Sequence, residues 1–118
     1  MGYRARVATE DECRAALAAL ADRLDEHADE VRGKLDLDRP IACRITDLGV
    51  AFHGRLAGGR LLDIADGDDP QAKITLKTTS DDLVALVDGR LDFARALASR
   101  RVSVSANPFD LLKLRKLL

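Results

Sequence analysis

Residues 78–109 read TTSDDLVALVDGRLDFARALASRRVSVSANPF, and this stretch decides the fold because short helices, a strand and an apolar last helix follow one another within it. Ser80 is a suitable N-cap, since the two acids after it lie where a helix dipole favours negative charge. Gly89 can end that helix, because glycine readily adopts the left-handed conformation of a C-terminal cap. The first element of the stretch is therefore predicted to be a helix between these two residues.

Three further elements follow within the same stretch. A second short helix is predicted from about Asp92, and the alternation of residues 101–105 predicts a strand. Asn107 as N-cap and Pro108 at the first helical position predict a last helix that runs to the C-terminus.

The N-terminal part of the chain predicts one long helix. Thr9 and Glu12 have the spacing of a capping box, and apolar residues then recur at helical spacing until Gly33. The other faces of this helix are charged, so it is expected to pack through one side only. His27 falls on the apolar stripe, and we expect it to be half-buried.

The middle of the chain alternates with a period of two and predicts strands over 41–46, 50–56, 61–64 and 72–77. Gly58 and Gly59 separate the second strand from the third and match the tight turn of a hairpin. The first three strands are therefore predicted to form an antiparallel meander. The outer face of the fourth is expected to be basic and hydrated.

The predicted element order is α-β-β-β-β-α-α-β-α. Strands that cluster in sequence indicate an α+β fold, with helices covering one face of a five-stranded, mostly antiparallel sheet. The 118 residues fit one domain, 1–118, that can bury a single sizeable core.

Composition argues against several classes of partner. A net charge of −1 gives no general attraction to phosphate backbones or anionic bilayers, so such a contact would need a local patch. An aromatic content of 3% leaves little for base stacking, and a nucleic acid partner is not expected. No apolar run approaches the ~20 residues of a membrane-spanning helix. Without a signal-peptide pattern, we expect a cytoplasmic protein in which Cys13 and Cys43 are reduced and buried.

The element order, and residues 74–118 in particular, resembles the sterol carrier protein type 2 family of small lipid-binding domains. The matching segments are 72–76, 79–83, 88–91 and 101–104. The resemblance implies an apolar tunnel between sheet and helices for an acyl chain or sterol, closed in part by the C-terminal helix, with no catalytic residue. Family members often carry glycine on either side of the fifth strand, where this chain has Arg100 and Ala106.

The resemblance directs the search for ligand-lining residues to the helices and strand of the C-terminal third. The candidates are Leu83, Leu86, Val87, Phe93, Leu97, Val102, Val104, Phe109 and Leu112. These are also the residues that any small core needs, so core packing is the competing interpretation. The last helix carries apolar residues in most directions, including Leu117 and Leu118, and one sheet face cannot bury them all. A bound lipid, a partner subunit, a membrane surface or a second core layer could cover the rest.

No pattern in the chain predicts a catalytic centre, a metal site or a cofactor. The two histidines, His27 and His53, have no ligand spacing around them, and neither cysteine has an identifiable base beside it. We therefore predict a non-catalytic carrier that holds a fatty-acyl or similar aliphatic chain. The alternative is an interaction or accessory module without a ligand, whose C-terminal helix docks on a partner or on a second copy of the chain.

Overall fold

Ten helices and strands follow one another along residues 7–116, the part of the chain that this computed structural model describes. They are α1 Glu10–Glu26, α2 Ala28–Lys34, β1 Asp38–Ile45, β2 Val50–Ala57, β3 Arg60–Asp66, β4 Ile74–Thr78, α3 Ser80–Asp88, α4 Phe93–Ala98, β5 Val102–Ser105 and α5 Pro108–Arg115. The predicted α+β class is confirmed. The predicted ends of the last helix, Leu117 and Leu118, lie outside the described residues.

The five strands form one sheet in the order β3-β2-β1-β4-β5. Strands β1, β2 and β3 pair as the predicted antiparallel meander. Strand β4 then pairs with β1 in parallel, and β5 pairs with β4 antiparallel. The sheet is therefore mixed, with three antiparallel pairings and one parallel pairing.

The prediction of a single N-terminal helix is wrong. The structure has two helices, α1 and α2, which are separated at His27. His27 leaves the helical conformation, with φ −117° and ψ 23°, and its side chain is exposed rather than half-buried. After the break, α2 lies against the β2–β3 turn. A Cβ on Gly59 would come within 2.4 Å of the Ala28 carbonyl oxygen, so this close approach needs glycine.

Most predicted helix caps are confirmed. The Thr9 hydroxyl accepts from the Glu12 amide at 3.1 Å, and the Glu12 carboxylate accepts from the Thr9 amide at 3.2 Å. Gly89 is left-handed with φ 80°, and Asn107 caps α5 as predicted. Helix α4 was predicted from about Asp92, and Asp92 proves to be its N-cap.

The prediction of Ser80 as the N-cap of α3 is wrong, because Thr79 occupies that position. The Thr79 hydroxyl accepts from the Asp82 amide at 3.3 Å. Ser80 is buried in the first turn, and its hydroxyl donates to Asp47 at 2.6 Å. Because Thr and Ser are adjacent and both cap well, the sequence alone did not distinguish them.

Among residues 7–116, the buried apolar side chains form two clusters on the helix-covered face of the sheet. The first, here the α1–α3 cluster, contains Cys13, Ala16, Leu17, Cys43, Ile45, Phe52, Leu83 and Val87. The second, here the α5 cluster, contains Leu35, Leu37, Leu56 and Ile74, with Val31, Ile41, Val104, Ala106 and Leu114 packed against it. The helices therefore cover the sheet in two patches rather than one.

Candidate functional site

Two rows of side chains cross the helix-covered face of the sheet. The first row, in register, is Phe52, Cys43, Leu76 and Val104. The second row is Gly54, Ile41 and Ile74, each two residues from its neighbour in the first row: later on β2, and earlier on β1 and β4. Because a strand rises ~3.3 Å per residue, the rows are about 7 Å apart.

The boundary between the two clusters runs along these rows. Phe52, Cys43 and Leu76 pack in the α1–α3 cluster, whereas Ile41, Ile74 and Val104 pack in the α5 cluster. We call this boundary the seam. Three of the side chains along it, Ile41, Leu76 and Val104, are only half-buried, so neither cluster covers the sheet completely there.

An apolar cavity of about 30 Å³ lies at one end of the seam. Its lining combines residues of both clusters with their neighbours on β2 and β3: Leu17, Ile41, Cys43, Phe52, His53, Gly54, Leu61 and Ile64. A Cβ on Gly54 would come within 3.0 Å of the Leu62 carbonyl oxygen, so glycine at this position lets β2 and β3 approach closely. The cavity lies beside this close approach, between β2, β3 and α1.

Helix α1 covers the cavity through Leu17, and exposed ion pairs connect the helix to the edge strand β3. The Arg14 guanidinium lies 2.7 Å from the Asp66 carboxylate, and Arg60 lies 3.0 Å from Asp25. Hydrogen bonding from Arg14 lowers the pKa of Asp66. All four side chains are more than 40% exposed, so these pairs add little to stability and α1 is held mainly by its apolar contacts.

Helix α5 closes the other end of the seam. Leu114 packs in the α5 cluster, while the first turn of the helix is fixed by a buried carboxylate. Asp110 is 2% exposed at its side chain and accepts from Arg39 Nε at 3.1 Å. Asn107 donates to the same Asp110 oxygen at 3.2 Å. Helix α5 is thus anchored to β1 by a polar contact and to the sheet by a small apolar one.

The nine ligand-lining candidates from the sequence occupy different surroundings. Leu83, Val87 and Val102 are buried, whereas Leu86, Phe93, Leu97 and Val104 are half-buried. Phe109 and Leu112 are 77% and 60% exposed on α5. None of the nine lines the cavity, although Val104 lies on the seam and pairs with Leu76. Their role in binding stays a prediction.

The residues that do line the cavity come mostly from the meander, which sequence reasoning treated only as scaffold. Period-two alternation identified these strands but gave no sign of where the covering helices would part. One signal was present: Gly54 is an isolated glycine within a strand pattern, which is typical of a bulge or of a close approach of another backbone. The β2–β3 register does shift between His53 and Arg55.

A second, larger depression of about 730 Å³ opens at the end of β1 and β2 and is charged. Arg44, Lys77, Asp66, Asp68 and Glu10 are among its lining residues. Arg44 is already paired with Asp68 at 3.1 Å. An aliphatic ligand seated in this depression would remove water from several charged side chains, which costs free energy that the seam does not demand.

The chemistry available at the seam is apolar. Both cysteines are buried free thiols, as predicted. Burial, followed by the influence of Cys13, raises the pKa of the Cys43 thiol to about 12, so it stays protonated at neutral pH. Within residues 7–116, no group of three or more His, Cys, Asp or Glu is arranged to hold a metal ion. None of the helices described there is long and apolar enough to cross a membrane.

Comparison with known proteins gives a family and a set of similar folds. The model of the SCP-2 sterol transfer family matches residues 8–118. No curated protein matches the chain.

Three solved structures illustrate the similarity. The stereoselective inverting sec-alkylsulfatase Pisa1 from Pseudomonas sp. is 27% identical, with a TM-score of 0.60 over 84% of this chain and 15% of that one. Sterol carrier protein 2 from Aedes aegypti, in complex with palmitate, is 23% identical, with a TM-score of 0.60 over 89% and 94%. Palmitated SCP2L2 from Aedes aegypti is 17% identical, with a TM-score of 0.60 over 84% and 90%. The two mosquito proteins show the shared fold, whereas this chain spans only 15% of the alkylsulfatase.

Proposed function

This chain belongs to the SCP-2 sterol transfer family, and from that premise we propose that it binds a fatty-acyl or similar aliphatic chain along the seam without catalysing a reaction on it. The observation that carries the proposal is the apolar cavity at the boundary of the two clusters. A site of this kind selects for aliphatic character rather than for a particular head group.

Hydrophobic burial is sufficient as a driving force. Each methylene removed from water contributes about 0.8 kcal/mol, so a long chain gains affinity without a specific polar contact. Of the cavity-lining residues, only His53 has a polar side chain, and its Nδ1 is already 2.9 Å from the Gly67 carbonyl oxygen. The ligand carboxylate would then remain near solvent.

The cavity is far smaller than a bound lipid needs. Its volume of about 30 Å³ compares with roughly 300–1,000 Å³ for typical ligand pockets. Binding therefore requires the two clusters to separate along Ile41, Leu76 and Val104, the half-buried side chains between them. The weak exposed ion pairs of α1 and the short helix α5 make that separation easier than opening a single continuous core.

The nine residues proposed from the sequence fit different parts of this opening. Val104 would be on its floor, Leu83, Leu86 and Val87 on the α3 side, and Val102, Phe93 and Leu97 towards β5 and α4. Phe109 and Leu112 point outwards here and would contact a ligand only if α5 rotated.

Uptake of palmitic acid by the purified chain tests the proposal directly. Native mass spectrometry after equilibration with the fatty acid should show one palmitate on each monomer. Acetate is the control, because it has the same carboxylate without the aliphatic chain, and it should not be retained. A chain that takes up no palmitate, and yields no lipid on solvent extraction when freshly purified, would contradict the proposal.

The second candidate function is a non-catalytic accessory module of a larger assembly. It is favoured by the match to a 15% segment of the alkylsulfatase at 27% identity. In that case the small cavity is simply a packing gap. The same mass spectra would then show the protein without palmitate, and loss of the exposed apolar residues of α5 would change its oligomeric state.

A further inference from the structure

Helix α5 presents two large apolar side chains to solvent on one face. Phe109 is 77% exposed and Leu112 is 60% exposed. They are three residues apart and therefore neighbours on the helix surface. The opposite side of the helix carries Asp110, Leu111 and Leu114, all buried or half-buried.

The same exposed face is rich in positive charge. Lys113 and Arg115 are exposed on α5, and Lys116 is exposed immediately after it. None of the three forms an ion pair with another described residue. The acid of this helix, Asp110, is buried against Arg39. We call Phe109, Leu112, Lys113, Arg115 and Lys116 the α5 patch.

The α5 patch is a local feature of a chain whose net charge is only −1. Helix α1 shows the contrast, because its exposed charged residues, apart from Arg23, are acidic: Glu10, Asp11, Asp22, Asp25 and Glu26. An anionic surface would repel α1 and attract α5. Apolar side chains flanked by cations are typical of segments that lie at a lipid–water interface, with lysine and arginine stems extending to the head groups.

We propose that the α5 patch docks this protein on the surface of a membrane that contains anionic lipids. Phe109 and Leu112 enter the boundary between head groups and acyl chains, and the three cations contact the anionic head groups. The inner side of the same helix contributes Leu114 to the α5 cluster at the seam. If the proposed function holds, docking places the seam next to the bilayer from which an acyl chain is taken.

Vesicle flotation tests the docking. The full chain is mixed with vesicles of phosphatidylcholine alone, or of phosphatidylcholine with phosphatidylglycerol, at two salt concentrations. We expect binding to the anionic vesicles only, and weaker binding at high salt. Replacing Lys113, Arg115 and Lys116 by glutamine should weaken binding by on the order of 100-fold, since each cation near an anionic membrane contributes roughly fivefold.

The apolar part of the patch has its own variant and control. Phe109→Ser with Leu112→Ser should abolish flotation. Leu62→Ser is the matched control, because Leu62 is also an exposed leucine, at 40%, but lies on the edge strand β3. This control should float like the unmodified chain.

The outcomes distinguish failure of the membrane-docking proposal from failure of the proposed palmitate binding. Palmitate uptake without vesicles should persist in the variant with glutamine at positions 113, 115 and 116, since these exposed residues are not among the ligand-lining candidates. Flotation in turn does not require that the chain take up palmitate. Equal flotation of the Phe109/Leu112 variant and the Leu62 control would overturn the docking proposal, as would equal binding to neutral and anionic vesicles. Absence of flotation, together with a dimer that the Phe109/Leu112 variant converts to monomer, would also overturn it and assign the patch to a protein contact.

Discussion

Arg100 has a backbone conformation that suits glycine. Its φ is 62°, in the turn between α4 and β5. Sterol carrier relatives often have glycine on either side of the fifth strand, so the unusual φ agrees with the resemblance seen in the sequence. A non-glycine residue in this region costs about 1–2 kcal/mol.

Arg100→Gly should therefore stabilise the protein. We expect the free energy of unfolding in urea to rise by about 0.5–1 kcal/mol, because the relieved strain exceeds the extra entropy of glycine in the unfolded chain. Asp63→Gly is the control, since Asp63 also has a positive φ of 56° but aspartate tolerates that region better. It should gain less. An Arg100→Gly variant less stable than the original would show that the side chain makes a compensating contact.

The thiol of Cys43, which lines the cavity, makes the stability of the protein depend on pH. Its folded-state pKa of about 12 lies above that of an unfolded thiol, which is ~8.5. Because the folded state favours the protonated thiol, the contribution of Cys43 to the free energy of unfolding is fully present below pH ~8.5. This contribution is lost as the pH rises towards the folded-state pKa.

The thiol should consequently resist alkylation at pH 8 until urea unfolds the chain. Unfolding free energy should also fall more steeply between pH 8 and pH 10 in the original chain than in Cys43→Ala, which lacks the titrating group. Rapid labelling of Cys43 in native conditions, detected by mass spectrometry of peptides, would mean that the seam is open to solvent.

At the scale of elements, α5 depends on the contact between Arg39 and Asp110. Removing Arg39 leaves the buried Asp110 carboxylate without its charged partner and, among residues 7–116, with only the Asn107 hydrogen bond. Breaking an ion pair in this way costs ~3–5 kcal/mol for a fully buried pair and ~0–1 kcal/mol for an exposed one. Since Arg39 is 36% exposed and Asp110 only 2%, we expect Arg39→Ala to cost about 2 kcal/mol in urea unfolding.

Two variants control this measurement. The additional change Asp110→Asn should recover part of the loss, because the unpaired charge is removed. Arg55→Ala breaks the exposed pair with Asp38, in which both side chains are more than half exposed, and should cost at most ~1 kcal/mol. Equal losses for Arg39→Ala and Arg55→Ala would mean that the buried carboxylate does not hold α5.

Local chemistry made most elements predictable. The capping box at Thr9, the glycine at 89 and the Asn107–Pro108 start specify their helices through side-chain hydrogen bonds and backbone freedom within a few residues. The break at His27 was not predictable in this way. The break accompanies the approach of α2 to Gly59, 32 positions along the chain, and helical periodicity over 10–33 carries no information on that contact.

At the scale of the molecule, the sheet composition was predictable and the cavity was not. Alternation identifies which strand residues face the helices, and hence the rows that contain Cys43 and Leu76. Where those rows remain uncovered depends on how α1, α3 and α5 divide the sheet between them. The shift in β2–β3 register beside Gly54 adds a further displacement that only the assembled sheet shows.

The central claim is that an acyl chain lies along the seam, between the sheet and its helices. Two adjacent residues of β4 can test it, because Leu76 faces the seam, Thr75 faces the opposite side of the sheet, and both are half-buried. The chain contains no tryptophan, so Leu76→Trp and Thr75→Trp each introduce a single fluorophore.

The measurement is the fluorescence of each variant during titration with a brominated stearic acid, whose bromine atoms quench tryptophan on contact. Leu76→Trp should be quenched strongly and saturate near one ligand per chain, whereas Thr75→Trp should change little. Equal quenching of the two variants, or quenching of Thr75→Trp alone, would contradict a ligand site along the seam.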